Sequence, residues 1–153
     1  MGGGIGRRGL TAIPEDREAG VIRSARVARM ATADGSGRPL VVPVCFVYDG
    51  RFVFTPVDKK PKSVPGGDLR RIKNILSNPR VSLVIDGYYE DWSRLYYVII
   101  HGQARVMESG EEYRNSLGLL SKKYRQYKKM GLESAGLPVI KIVPERIVSW
   151  GDL

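Results

Sequence analysis

The chain has 153 residues, 42% of them hydrophobic, and 25 Lys and Arg against 16 Asp and Glu give a net charge of +9. That is the size and apolar content of one globular domain, and the charge predicts an anionic partner such as nucleic acid, phospholipid headgroups or a phosphorylated ligand. No apolar run approaches the roughly 18 residues of a membrane span. A single cysteine, Cys45, excludes an internal disulfide, and together with the single histidine, His101, argues against a structural zinc site.

In chain order, residues 1–10 hold mostly glycine and arginine and predict a disordered lead-in without an apolar leader; the cytoplasm is the simplest location. Residues 11–153 then read as one domain. Pro14 suits a first helical position, with Glu15, Asp16 and Glu18 in the first turn, and predicts a helix to about Arg26. Three strands follow, Val27–Thr32, Leu40–Tyr48 and Arg51–Val57, joined by glycine turns and expected to form an antiparallel meander. Pro43 lacks an N–H and marks an edge or a bulge.

After a basic Pro- and Gly-rich stretch (Lys59–Gly67), Asp68 predicts a helix cap and Leu69, Ile72, Ile75 and Leu76 share one face up to Asn78. Arg80–Ile85 is a fourth strand. Leu95–Met107 is a fifth, with Gly102 permitting a bend. Ser109 with Glu112 has capping-box spacing and starts a helix reaching about Tyr127. Leu137–Trp150 is a sixth strand, interrupted at Pro144. Six strands and three helices with mostly hairpin connections predict a mainly β (α+β) architecture, a six-stranded antiparallel barrel with peripheral helices.

Two basic runs stand out. Between Asp58 and Arg80, the cations Lys59, Lys60, Lys62, Arg70, Arg71, Lys73 and Arg80 follow a strand carrying Thr55 and flank a helix start, an arrangement able to hold a phosphate. Taken alone the run reads more readily as a solvated loop. The second, KKYRQYKK (122–129), interleaves tyrosine with cations in the manner of a single-strand nucleic-acid binder. Its helical spacing with Leu117 and Leu120 instead predicts tyrosines on the buried side. Cys45 in an apolar strand reads as a small core residue. His101 has no evident partner. No HExxH, GxSxG or P-loop pattern occurs, so if the chain is an enzyme, a bound cofactor carries the chemistry.

The order of pieces VARMATADGSGRPLVVPVCFVYDGRFVFTPVDKKPK and LRRIKNILSNPRVSLVID resembles the pyridoxamine 5′-phosphate oxidase-like split-barrel superfamily. YYEDWSRLYYVIIHGQARVME and PERIVSW resemble a subgroup described as coenzyme F420 (deazaflavin)-dependent oxidoreductases. The resemblance implies a split barrel that binds a flavin-type cofactor, F420 or alternatively FMN, in a homodimer with cofactor sites at the interface and a small-molecule substrate. Within it, Thr55, Lys60 and Lys62 would grip the cofactor phosphate, with Arg71 and Asn74 as second-rank contacts. Val42, Pro43 and Val44 would line the ring, and Trp92, Arg94 and Tyr97 would approach from the other subunit. KSVPGGDL is longer than the family's usual loop. The basic residues that the true oxidase carries near its C-terminus for pyridoxamine phosphate are not matched. The resemblance turns the DKKPK run from a surface loop into an expected phosphate site. A non-catalytic flavin-binding protein is the alternative, and a nucleic-acid-binding barrel stands third because no RNP-type aromatic strand motif occurs.

Overall fold

The computed structural model describes residues 11–57 and 67–153, side chains of 67–69 excepted, and it is mainly β, a curled antiparallel sheet with helices around it. Lys59, Lys60, Lys62, residues 1–10 and the predicted Asp68 cap all lie outside the described residues or side chains. The elements are α1 (Asp16–Ser24), β1 (Ala28–Ala33), β2 (Pro39–Val44), β3 (Val47–Tyr48), β4 (Val53–Pro56), α2 (Gly67–Ser77) and β5 (Arg80–Gly87). They continue with β6 (Tyr96–Met107), α3 (Glu111–Lys123), α4 (Arg125–Lys129) and β7 (Val139–Gly151), with short 3-10 turns at Trp92–Arg94 and Leu132–Ser134. Among the described residues no helix is long and apolar enough to cross a membrane.

Among the described residues seven strands pair in the order β2-β1-β5-β6-β7-β4-β3, not the six expected, because the Leu40–Tyr48 run breaks after Val44. The break also overturns the expected three-strand meander: β2 pairs with β1 at one end of the sheet, and β3 with β4 at the other. Only Cys45 and Phe46 join β2 to β3. Three Cα steps reach about 11 Å, so the two ends of the sheet must lie close together. That short link curls the sheet into a split barrel, its strand order open and its ends tied.

Alternation along the strands follows from this curvature. Ala28 and Met30 on β1, Val81, Leu83 and Ile85 on β5, and Val98 and Ile100 on β6 are buried and join Phe46, Val53, Ile140 and Ile142 in the main core. A second core lies outside the sheet where Tyr113, Leu117, Leu120, Tyr124 and Tyr127 of the C-terminal helices cover Phe54 and Val139. Pro43 sits on β2, an edge strand, opposite Arg29, where a missing N–H costs no ladder bond on the open side.

Several boundaries move for identifiable reasons. The first helix starts at Asp16, not Pro14, because the Glu18 carboxylate reaches back to accept the Glu15 N–H at 2.9 Å and fixes the entry there. The expected Ser109 capping box does not form: Gly110, at φ 101°, takes the cap position. Glu112 is drawn away to Lys141, 2.7 Å from it, whose side chain is only 7% exposed. The Lys141 hydrogen bond holds the Glu112 carboxyl below its ordinary pKa. The helix expected to reach Tyr127 breaks at Tyr124, whose backbone is extended. β7 runs through Pro144 with a bulge: His101 faces Arg146 while Gly102 faces Pro144, so Glu145 is the extra residue. Glycine is required opposite it, since a Cβ at Gly102 would meet the Val143 carbonyl oxygen.

Candidate functional site

The register of the sheet fixes which barrel end each predicted residue occupies. β1, β4 and β6 run the same way, so Thr32, Thr55 and Met107 lie toward one end. α2 packs at that end against β1 and β6. Its inward face carries Ile75 into the core, and Arg71 and Asn74 are buried beside it. The Asn74 side-chain amide donates to Thr32 Oγ1 at 3.0 Å, tying helix to barrel. Thr55 is 0% exposed, and its hydroxyl donates to the Cys45 carbonyl at 2.8 Å. So Thr55 braces the β2–β3 link from inside, at the point where β4 hands the chain to residues 58–66.

Val42 and Val44 face the interior, opposite Met30 and Ala28, while Pro43 points out. Because β2 has one strand partner among the described residues, alternate backbone groups along it point away from that ladder. At Pro43, which lacks an N–H, this open edge offers a carbonyl acceptor only.

Trp92, Arg94 and Tyr97 lie at the opposite barrel end. From Arg80, opposite Gln103, to Asp86, opposite Tyr97, is six residues along the ladder, or about 20 Å. Within one protomer the structure therefore does not bring this trio to α2. Trp92 is 71% exposed. The Asp91 side chain accepts from the Ser93 N–H and hydroxyl, which shapes the turn that presents Trp92. These bonds hold the Asp91 carboxyl below its ordinary value. The Arg94 guanidinium lies 4.1 Å from the Tyr89 ring centroid, and Tyr97 stacks on Trp150 at 5.8 Å.

The 122–129 run has a different fate. Tyr124 and Tyr127 are buried, as their helical spacing predicts, and have no face to offer a nucleic-acid base. Lys123 Nζ donates to the Ala25 and Phe46 carbonyls at 2.7 and 2.9 Å. The Tyr124 hydroxyl accepts from the Phe46 N–H at 3.1 Å and donates to the Arg26 or Phe46 carbonyl. Together they clamp the Cys45–Phe46 link. Burial, with the Arg26 guanidinium adding to it, lowers the Lys123 ammonium to about 8. Burial likewise raises the Tyr124 phenol. This clamp was not legible in the sequence beyond the spacing of the tyrosines.

One open groove of about 550 Å³ lies on the outer face of β1, β5 and β6 and contains none of the predicted site residues. Ser82, His101, Arg80 and Glu145 line it. The Ser82 hydroxyl and His101 Nδ1 are 2.8 Å apart, cross-strand neighbours in the β5–β6 ladder. The partner of His101 could not be read from sequence because it depends on that register. Among the described residues no cluster of side chains could hold a metal ion.

With this architecture the comparisons with known proteins agree. The pyridoxamine 5′-phosphate oxidase family profile matches residues 14–151. The chain belongs to that family. A candidate pyridoxamine 5′-phosphate oxidase from Listeria innocua is similar at 25% identity and TM-score 0.64, over 90% of this chain and 98% of that one. HutZ, the heme storage protein of Vibrio cholerae, superposes with TM-score 0.67 at 17% identity, over 92% of this chain and 95% of its own. A FAD-binding protein from Mesorhizobium loti does so with TM-score 0.65 at 22% identity, over 92% and 96%. The last two share the fold. No curated protein matches the sequence.

Proposed function

We propose that the chain is one protomer of a homodimeric oxidoreductase that moves hydride between a flavin-type cofactor and a small organic substrate. The cofactor is a deazaflavin of the F420 type, with FMN as the alternative. The observation that carries this reading is the convergence, at one barrel end, of α2 with Arg71 and Asn74 and of the end of β4, from which the chain continues to Lys60 and Lys62. A cofactor phosphate would be held there by the two lysines. The open edge of β2 at Val42, Pro43 and Val44 would take the polar edge of the ring. Thr55 contributes indirectly, by holding the strand end.

The bound ring supplies the hydride chemistry. The chain's own task is to bind, orient and exclude water, which matches a residue inventory with one histidine and one cysteine. Dimerisation is supported by two features. Trp92, Arg94 and Tyr97 lie too far along the ladder to reach α2 of their own protomer. The outer sheet face also carries Val41 at 61% and Trp150 at 54% exposure, with Val84, Ile99 and Val148 half-buried between them, a surface suited to a second copy.

Turnover is the test. Reduced F420 or FMN, mixed with the protein and a panel of quinones, enones and tetrapyrroles, should be oxidised continuously in the presence of at least one compound. Stoichiometric binding with no compound-dependent oxidation would replace the enzyme with a cofactor carrier.

A further inference from the structure

We infer that the groove on the outer sheet face is a socket for a second copy of this chain, which inserts its stacked Tyr97 and Trp150 there and sets its Asp86 against Arg80. The inference rests on the homodimer proposed above and deepens it by fixing how the two copies are oriented. That reading requires Trp92, Arg94 and Tyr97 of one protomer to reach α2 of the other. α2 leads directly into β5 at Arg80, opposite Gln103, whereas Tyr97 lies at the other end of the same ladder, opposite Asp86. So the two outer faces must meet with their strands reversed, about a two-fold axis that crosses β5 and β6. Midway between the ends stand Leu83, equally far along β5 from Arg80 and Asp86, and Ile100, equally far along β6 from Gln103 and Tyr97. A two-fold axis over Leu83 and Ile100 carries Asp86 of each copy onto the other's Arg80, and Tyr97 onto the other's Gln103. An axis laid along β6 instead leaves Trp92 and Arg94 about 20 Å from α2 in both copies.

Charge, shape and apolar area all fit this orientation. Arg80 is exposed and forms no ion pair among the described residues. Among the same residues Asp86 is bonded through Oδ1 alone, to Arg29 at 2.8 Å. Its Oδ2 is open to the partner's Arg80, and the same charge pair forms twice about the axis. Trp150 is 54% exposed and stacks on Tyr97 at 5.8 Å, so the pair is a preformed aromatic knob. The groove, about 550 Å³, lies where that knob arrives: Gln103 lines it, and so does Glu145 at the β7 bulge. The Glu145 carboxylate is an acceptor for the indole N–H of the partner's Trp150. Ala31, Ala33 and Pro39 give the socket an apolar wall. Val84 and Ile99, both half-buried, stand beside the axis and form the apolar centre of the contact.

Sedimentation velocity of the full chain across a dilution series reads the dissociation constant of the dimer. Arg80→Asp and Asp86→Arg each set like charges together at both symmetric contacts, and each should weaken the dimer at least about tenfold. Mixed in equal amounts, the two variants should recover a heterodimer, because only the mixture places opposite charges together at both contacts. Arg80 and Asp86 are exposed, so both variants are expected to fold. Trp150→Ala removes half of the knob and should weaken the dimer at least about tenfold. With the native chain dimeric, the inference is overturned if both charge reversals leave the dissociation constant unchanged, if their mixture stays as weak as either variant alone, or if Trp150→Ala dimerises like the native chain. Any of these outcomes leaves the homodimer reading standing with a different interface. A native chain that stays monomeric with F420 or FMN present overturns that reading and the socket together.

Discussion

The two basic runs, 58–80 and 122–129, carry the same net charge of +5 on different compositions and are assigned opposite uses. Around α2, Arg70 and Lys73 are exposed, Arg71 and Asn74 are turned inward, and the helix lies across the barrel end reached by β4. Around α3 and α4 the tyrosines are buried. One lysine, Lys123, spends its charge on two backbone carbonyls at the link that closes the sheet. Both runs lie over an apolar helical face, and what separates them is that the tyrosines interleaved with the charges of 122–129 are themselves part of the buried face. Leu117, Leu120, Tyr124 and Tyr127 pack on the second core and draw their neighbours inward with them. So the first run is proposed to hold a ligand, whereas the second holds the fold. Net charge alone does not separate them.

The sharpest break of that comparison is to remove the lysines of the first run. Lys60→Ala with Lys62→Ala should weaken cofactor binding by about 3 kcal/mol or more, the loss of two charge-assisted phosphate bonds. The melting temperature of the cofactor-free protein should not move. Calorimetric titration checks the first statement and a thermal scan the second. A large loss of stability with intact affinity would reverse the assignment of the two runs.

Next in size is the clamp. Tyr124→Phe removes the acceptor for the Phe46 N–H and the donor to the Arg26 or Phe46 carbonyl. Equilibrium urea unfolding should show a loss of about 1–3 kcal/mol, with cofactor affinity unchanged once folded protein is corrected for.

Lys123 gives a smaller, pH-dependent effect. In the native state its ammonium loses its proton near 8, against 10.5 for an ordinary lysine. Between those values the unfolded chain binds more protons than the native one, so stability rises with pH across that window. Urea unfolding at several pH values from 7.5 to 9.5 should show the rise, and Lys123→Met should flatten it. An equal rise in the variant would assign the slope to another group. The smallest expected effect belongs to Cys45. It is half-buried at the link, and Thr55 bonds to its backbone carbonyl, not its thiol. Cys45→Ser should leave turnover largely intact. A folded but inactive variant would give the thiol a role that the geometry does not.

Much of the fold was legible in the sequence because it is written in local periods. The alternation of Val81, Leu83 and Ile85, the face of α2, and the spacing of Leu117, Leu120 and Tyr124 each announce an element and its buried side. Pro43 announces an edge. Long-range register was not legible. The break at Cys45–Phe46 is invisible in LVVPVCFVY, where every residue is a good strand former, because it is set by Tyr124, 78 positions away from Phe46. The Glu112 capping box failed for the same reason, since Lys141 competes for the carboxylate from a distant strand. The predicted cofactor residues came from motif order. The Ser82–His101 groove has no motif and emerged only once β5 and β6 were in register.

Cofactor binding to the purified full chain tests the central claim most directly. Titrated with F420 and, separately, with FMN, the protein should bind at least one of them at micromolar concentration, with one cofactor per protomer. Binding of neither at that concentration would contradict the account.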